Sequence, residues 1–422
     1  MRWSMPVLAT LLAVVLAGCG AGGVSGSPAG STATPTSSRG PSSSASTPSA
    51  LPSASADPIH PPTPVPVAGG LMLERVPDQP ALAAADMTDV AAGPTGYVAV
   101  GCRALTATTS TNCRSAAWHS ADGRSWEQAT LPTAGMIDGG MFVAGGDSGY
   151  VAWGGLMEPP GAGIWASTDG TSWEAAPVIS EVAISSVVRH GGAWFASGGA
   201  GMRGAVLFTS PDGVTWEEIE FASGTPIWSL DLLVSTGDEL LGFGPSGDGE
   251  LMTSATFRST DGLRWRATNE LPQGANIGEA VVVDGRVVGT GRDDTRDDPS
   301  PAGWVWTGGT SWVPSAFPAG PRGGPLAAGA GELVMLGGEG PQMSALWSID
   351  GMEWLPAGSV PDAARDGWEQ PTGCTGGPCG NEARTVVRGL TGTAAGFVAV
   401  GSTQLAKNDS RAVVWIGTVP RE

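Results

Sequence analysis

The sequence is poor in lysine, tyrosine, histidine and charged residues in general. Its 422 residues include one lysine, Lys407, two tyrosines and three histidines, and only 14% of the residues are charged. Nucleic-acid binding needs clustered Lys and Arg to contact phosphates, whereas this chain has 21 basic against 40 acidic residues and a net charge of −19. The composition therefore argues against a nucleic-acid partner.

Patterns typical of helical and fibrous proteins are also missing. The chain contains 66 Gly and 34 Pro without a Gly-X-Y period, and each Gly inside a helix costs about 1 kcal/mol. Yet 41% of the residues are hydrophobic, and 17 Trp outnumber 8 Phe and 2 Tyr together. This composition favours a core built from short strands and many turns.

The N-terminus has the pattern of an export signal. Arg2 precedes an apolar run from Met5 to Val15, which is too short to span a bilayer, and the run is followed by Leu-Ala-Gly and Cys19. This arrangement resembles the lipobox of bacterial lipoproteins, which implies removal of residues 1–18 and lipidation of Cys19. An ordinary secretory signal with an incidental cysteine is the alternative.

Residues 19–68 are predicted to form a disordered tether behind the lipidated cysteine. They consist almost entirely of Ser, Pro, Thr, Ala and Gly, and such a segment buries too little apolar surface to offset its chain entropy. Its root-mean-square reach is roughly 40 Å. The charged residues of this leader and tether are Arg2, Arg39 and Asp57, so the remaining chain, 69–422, carries −20.

The rest of the chain repeats one unit seven times. The first repeated element is a short apolar run that ends in glycine, which is typical of a strand buried on both faces. The seven closing glycines are Gly101, Gly154, Gly198, Gly244, Gly291, Gly337 and Gly401.

The second repeated element is a seven-residue box, Ser-x-Asp-Gly-x-x-Trp, which follows the apolar run. An Asp-Gly pair between apolar strands predicts a hairpin, and the Trp that follows offers a large contact for burial. In the fifth unit Gly308 replaces the aspartate. The box aspartates are Asp122, Asp169, Asp212, Asp261 and Asp350.

Units of about 45 residues with four short strands predict an all-β, seven-bladed β-propeller over 69–422. The seventh unit supplies only three strands before the chain ends. We expect its fourth strand to come from Leu71–Val76, because closing the ring in this way removes an open sheet edge. We also expect a monomer.

The boxes resemble the Asp-box of the bacterial neuraminidase repeat family, shared by sialidases, sortilin-type receptors and photosystem assembly propellers. In the family pattern, Ser-x-Asp-x-Gly-x-x-Trp, one residue separates the Asp from the Gly, whereas in this chain the Gly follows the Asp directly. The resemblance implies structural turns on outer hairpins, distant from the ligand-binding pore. The low-Lys, Ala-, Gly- and Pro-rich composition is similar to that of high-GC, actinobacterial proteins.

The resemblance to sialidases does not extend to their chemistry. Those enzymes use a Tyr nucleophile, and the two tyrosines here, Tyr97 and Tyr150, open apolar strands as core residues do. A glycosidase with two carboxylates needs only Asp or Glu, so this chemistry remains an alternative. No two histidines have metal-ligand spacing and no dinucleotide or phosphate loop occurs, so no cofactor and no metal are predicted.

Setting Cys19 aside leaves four cysteines, as expected for an oxidising exterior. Cys102 and Cys113 bracket one loop, and Cys374 and Cys379 bracket Thr-Gly-Gly-Pro. Two local disulfides are predicted, with a metal site at the second pair as the alternative.

The loops between second and third strands share one propeller face with the connections between blades, so a ligand is expected there. The candidates comprise the long last connection, an acidic loop that either binds Ca²⁺ or is simply solvated, and four loop methionines. Methionines fill gaps, contact a partner or bind Cu(I). The candidate residues are Arg365, Asp366, Trp368, Glu369, Asp293, Asp294, Met157, Met202, Met252 and Met343.

These observations predict a lipoprotein anchored through Cys19 on the outer face of the cytoplasmic membrane. Its propeller is expected to bind an extracellular protein or glycan without catalysis. The alternative is a sialidase-like or other glycoside hydrolase that acts on polysaccharide.

Overall fold

The computed structural model describes residues 71–104, 113–132, 137–157, 159–220, 228–246, 253–268, 271–295, 301–309, 311–318, 323–338, 343–360, 384–406 and 409–419. The chain divides into two units, 1–65 and 66–422, and the described residues all belong to the second. The predicted leader and tether, and the residues Cys19, Met252, Arg365, Asp366, Trp368, Glu369, Cys374 and Cys379, lie outside the described residues.

The second unit is a ring of seven antiparallel sheets, so the predicted seven-bladed propeller is confirmed. The innermost strands of blades one to seven are β2 (Ala85–Gly93), β6 (Ile137–Gly146), β11 (Ala183–His190), β15 (Leu232–Ser235), β19 (Ala275–Val283), β23 (Leu326–Gly329) and β27 (Arg384–Thr393). The second strands are β3 (Gly96–Ala104), β7 (Gly149–Met157), β12 (Ala193–Gly199), β16 (Leu240–Ser246), β20 (Arg286–Asp293), β24 (Glu332–Gly337) and β28 (Gly396–Ala406).

Two further strands complete each blade. The third strands are β4 (Cys113–Ser120), β8 (Pro160–Ser167), β13 (Ala205–Ser210), β17 (Thr253–Ser259), β21 (Pro301–Trp306), β25 (Ser344–Ser348) and β29 (Asp409–Thr418). The outermost strands are β5 (Glu127–Gln128), β9 (Glu174–Ala175), β14 (Glu217–Ile219), β18 (Arg266–Thr268), β22 (Trp312–Pro314), β26 (Leu355–Ser359) and β1 (Met72–Arg75). A short extra strand, β10 (Ile179–Ser180), pairs with β8.

The ring is closed by the N-terminal strand, as the sequence predicted. Strand β1 pairs antiparallel with β29, with Met72 opposite Thr418 and Arg75 opposite Trp415. This pairing occupies the outer edge of blade seven with chain from the other end of the propeller. The first and last segments of the ring are therefore held in one sheet.

The hydrophobic core consists of seven clusters, one between each pair of neighbouring blades. A large side chain of the third strand fills most of them, including Trp118, Trp165 and Trp415, which are fully buried. Blade six differs, because Leu346 faces the core and Trp347 is only half-buried. Two-sided burial explains why the second strands are continuous apolar runs.

The boxes form the turns between third and outermost strands and fix neighbouring blades together. In five boxes the glycine has a φ of 71–82°, the left-handed region that favours glycine. Its Cα also lies against the preceding blade: a Cβ at Gly262 would come within 2.2 Å of the Phe195 ring, and one at Gly351 within 2.5 Å of Val288. The box therefore requires glycine for both conformation and packing.

Candidate functional site

The seven innermost strands surround a central channel, and an irregularity recurs at one level around it. Bulges interrupt the pairing of β2, β6, β11, β19 and β27 with their second strands. Each bulge lies near the beginning of its strand, just after the connection from the preceding blade. This end belongs to the face predicted to bind a ligand, here called the upper face. A bulge bends a strand and redirects its side chains.

The repeat places seven residues at equivalent positions on this level, here called the ring level. Each belongs to an innermost strand or directly precedes it, and pairs with the second-strand residue that directly precedes the closing glycine. The ring-level residues are Asp89, Phe142, Ser186, Leu232, Glu279, Pro325 and Gly389. Two carboxylates and one aromatic ring therefore occur at one height in the channel.

Asp89 is half-buried and held by two backbone amides. The amide N–H of Val90 donates to its Oδ1 at 2.8 Å, and the amide of Val143 in blade two donates to its Oδ2 at 3.0 Å. Burial raises the pKa of Asp89 to about 7, although both backbone hydrogen bonds act to lower it. Asp89 thus joins blades one and two and titrates near neutral pH.

Glu279 belongs to blade five, so blades six and seven separate it from Asp89. Its side chain is reached by water through the channel, yet it is enclosed by the channel walls. This enclosure raises the pKa of Glu279 to about 7, and the negative charge of Asp89 raises it further. Glu279 forms no hydrogen bond or ion pair with any described residue.

Phe142 provides an exposed aromatic ring at the same level. Its side chain is 44% exposed and stacks on the buried Trp153, with ring centroids 5.7 Å apart and planes inclined by 26°. The next residue, Val143, donates the amide hydrogen bond to Asp89. Trp153 therefore supports one face of the Phe142 ring.

A compensated ion pair completes the ring level. Arg388 is the bulged residue of β27, and its Nε lies 3.5 Å from Oδ1 of Asp86 in blade one. A cavity of about 380 Å³ lies directly below, lined by strand residues that follow the ring level, including Ala280–Val282 and Leu390–Gly392. The side chains that line this cavity are mainly aliphatic.

The box aspartates are far from this chemistry and occupied by their own turns. Asp169 Oδ1 accepts hydrogen bonds from the backbone amides of Thr171 at 2.8 Å and Ser172 at 2.9 Å. These bonds lower the pKa of Asp169 to about 2. Asp122, Asp212 and Asp261 accept the same pair of amide bonds, and Asp350 accepts one from Met352.

The boxes of blades two and three also border a second cavity of about 510 Å³ on the opposite face. It is lined by Tyr150, Trp173 and Trp194, whose side chains are largely buried, and by Asp212. The Asp212 carboxylate is engaged by the turn amides.

The candidate loop methionines differ in exposure, and one assignment is wrong. Met202 is fully exposed and Met157 is half-exposed, so both are available on the upper face. Met343 is only 2% exposed because it packs into the core between blades six and seven. It therefore fills a gap and cannot contribute to a binding surface.

The remaining candidates of the upper face have local partners. Asp293 Oδ1 accepts hydrogen bonds from the backbone amide and the hydroxyl of Thr295, and Asp294 lies 3.9 Å from Arg292. Among the described residues, no group of three His, Cys, Asp or Glu side chains could hold a metal ion. Trp228 is 48% exposed on the connection between blades three and four.

The strand register bears on the first predicted disulfide. Ala104 of β3 is opposite Cys113, and Cys102 is opposite Ser115, so the two cysteines occupy diagonal positions on neighbouring strands. Diagonal residues of an antiparallel pair share one face of the sheet. The bond itself stays a prediction.

The sequence did not single out Asp89, Phe142 or Glu279. A weak signal was present in the sequence, because all three residues lie at the same distance before the closing glycine of their unit and beside an apolar stretch. Finding them required the register of the inner strands, and in particular the bulges.

No family model matches the chain, and no curated protein sequence matches it. Solved structures do match. The β-propeller domain of the Trilobed protease from Pyrococcus furiosus, which has an open velcro topology, aligns with a TM-score of 0.50 and 11% identity. The alignment covers 80% of this chain and 95% of that domain.

Two enzymes match over part of their length. The GH74 xyloglucanase from Xanthomonas campestris has a TM-score of 0.45 and 16% identity, with 69% of this chain and 53% of that chain covered. The Trypanosoma rangeli sialidase in complex with the inhibitor DANA has a TM-score of 0.39 and 11% identity, with 81% and 57% covered. The chain thus spans just over half the length of either enzyme. The similarity to the protease propeller domain agrees with the β-propeller fold of this chain, and none of these structures assigns it a family.

Proposed function

We propose that the protein is an exported, lipid-anchored propeller that binds an extracellular glycan at the upper opening of its channel. The observation that carries this proposal is the meeting of Asp89, Phe142 and Glu279 at one level of a water-accessible channel. Sugars are bound by aromatic faces together with a few convergent polar groups in a concave site. The exposed Trp228 adds an aromatic contact on the upper face.

A glycan array probed with the purified residues 66–422 tests this proposal. The wild-type protein is expected to bind a defined set of glycans, and Phe142→Ala should weaken binding by about tenfold, since an aromatic contact contributes about 1 kcal/mol or more. Leu263→Ala removes an exposed apolar side chain from a box turn on the opposite face and serves as the control. Binding unaffected by Phe142→Ala would contradict a channel site.

The anchor is part of the proposal and has its own test. The described residues contain no helix long and apolar enough to cross a membrane. If Cys19 carries the lipid, the wild-type protein should partition into the detergent phase and incorporate labelled fatty acid. Cys19→Ser should abolish both, and retention of the label in this variant would contradict the assignment.

Glycoside hydrolysis is the second candidate function, and the Asp89–Glu279 pair favours it. Two carboxyl groups whose pKa values are both raised to about 7 share protons at neutral pH, so one can act as general acid and the other as general base or nucleophile. A screen of chromogenic glycosides should then reveal turnover that both Asp89→Asn and Glu279→Gln abolish. Turnover that survives both substitutions would reject the pair.

A further inference from the structure

We propose, on the basis of the proposed function, that the channel site selects glycans that carry a protonated amino group, with Glu279 as the residue that sets this specificity. Free amino sugars are the chemical class that fits. The inference rests on which charges at the ring level already have partners and which one does not.

The other charged groups at this level are compensated by the protein. Arg388 and Asp86 form an ion pair with 3.5 Å between Nε and Oδ1. Both oxygens of Asp89 accept backbone amide hydrogen bonds. Glu279, which water reaches, forms no hydrogen bond or ion pair with a described residue, so its charge is free to pair with a cationic ligand.

The surroundings of Glu279 leave room for a ligand group. Gly278, the bulged residue before it, has no atom within 4 Å of the position that a Cβ would take. The wall of blade five is therefore open beside the carboxylate. An ammonium group that enters here can neutralise the negative charge of Glu279 and donate up to three hydrogen bonds.

Phe142 adds a second feature that favours a cation. Its exposed ring belongs to the ring level, and the face of an aromatic ring attracts an ammonium group when water is displaced. The charge of residues 69–422, −20, also concentrates cationic ligands near the protein. A neutral glycan would offer Glu279 only hydroxyl or amide hydrogen bonds, which are weaker than those of an ammonium group.

The experiment compares two trimers that share one sugar backbone and differ in N-acetylation, which removes the positive charges. Binding of the β-1,4-linked glucosamine trimer and of its fully N-acetylated counterpart is measured by calorimetry at low salt with residues 66–422, at pH 7.0, where Glu279 is partly ionised. We expect the amino trimer to bind at least tenfold more tightly. Glu279→Gln should weaken binding of the amino trimer and remove most of this difference.

Glu217→Gln is the matched control, because Glu217 is an exposed carboxylate on the outermost strand of blade three. It should bind both trimers like the wild-type protein. Thermal unfolding of Glu279→Gln shows whether the variant folds; we expect it to be about as stable as wild type, since Glu279 is exposed and the change breaks no contact with a described residue.

Each other outcome overturns the inference. Equal or tighter binding of the acetylated trimer, or unchanged selectivity in Glu279→Gln, would show that the amino group is not recognised, and glycan binding itself would still stand. If neither trimer binds while the array detects a neutral glycan, the inference is wrong and the proposed function is retained. If the array also shows no binding, both are wrong.

Discussion

At the scale of single residues, the box aspartate stabilises a turn. Asp169 accepts two backbone amides and a hydroxyl, from Ser167 at 3.1 Å, while the Trp173 indole donates to the carbonyl of Gly170 at 3.2 Å. Similar contacts recur in the boxes of blades one, three and four, where Trp126, Trp216 and Trp265 donate at 2.8–2.9 Å. An aspartate that accepts these hydrogen bonds within its own turn is not available to bind a ligand.

Asp169→Asn tests this role. The substitution replaces charge-assisted hydrogen bonds with neutral ones, so we expect the free energy of unfolding to fall by about 1–2 kcal/mol. Urea denaturation of residues 66–422 measures the change. Glu174→Gln, which removes an exposed carboxylate five residues later, should shift the free energy by less than about 0.5 kcal/mol. Equal effects of the two substitutions would contradict the turn assignment.

The degenerate fifth box uses a different turn. Gly308, which stands in place of the aspartate, has a φ of +90°, whereas in the other boxes the following glycine has the positive φ. Trp306 donates its indole N–H to the carbonyl of Gly309 at 3.0 Å, and the indole nitrogen of Trp312 is buried without a partner in the described part of the chain. The box without an aspartate therefore has a different backbone conformation, with the positive φ one residue earlier than in the other boxes.

Restoring the consensus at this site should therefore fail. Gly308→Asp is expected to lower the free energy of unfolding by about 1 kcal/mol, because a side chain is strained at positive φ. Thr307→Asp introduces the same charge at the neighbouring exposed position and serves as the control in the same urea denaturation series. A stabilising effect of Gly308→Asp would show that the turn can convert to the common form.

At the scale of elements, β1 decides whether the ring is closed. Its partner β29 otherwise presents an open edge along the whole outer side of blade seven. An unpaired edge strand recruits other chains. Among the described strands, only those of blade seven come from both ends of the propeller, which couples the stability of the ring to its N-terminal strand.

A chain that begins at residue 77 should lose this closure. Compared with residues 66–422, we expect a less cooperative unfolding transition, a melting temperature lower by at least about 5 °C, and self-association in size-exclusion chromatography with light scattering. A synthetic peptide of residues 70–76, added in excess, should partly restore the melting temperature. A truncated protein that remains monomeric and equally stable would contradict the role assigned to β1.

At the scale of the whole molecule, two groups of carboxylates respond to pH in opposite directions. The pKa of Asp169 is lowered to about 2, so its contribution to stability is present above the unfolded value near 4 and is lost as the pH falls toward 2. The pKa values of Asp89 and Glu279 are raised to about 7, so these groups destabilise the fold as the pH rises from about 4 through 7.

We therefore expect maximum stability on the acid side of neutrality, at about pH 5. Melting temperatures measured from pH 3 to pH 9 should decline between pH 5 and pH 8 in the wild-type protein. The double variant Asp89→Asn with Glu279→Gln should flatten this decline, while Asp169→Asn should not. A decline of the same slope in the double variant would show that other groups cause it.

Sequence alone determined the repeat, the number of blades, the box turns and the closing strand. Each depends on local chemistry: an apolar run that ends in glycine, an Asp-Gly hairpin signal, and a strand missing from the last repeat. Tertiary structure alone decided the candidate site. Asp89, Phe142 and Glu279 are separated by 53 and 137 positions in the sequence, and only the bulges of the inner strands and the closure of the ring bring them to one level. The burial of Met343 was decided in the same way, because a loop position in the repeat does not reveal which side chains the neighbouring blade covers.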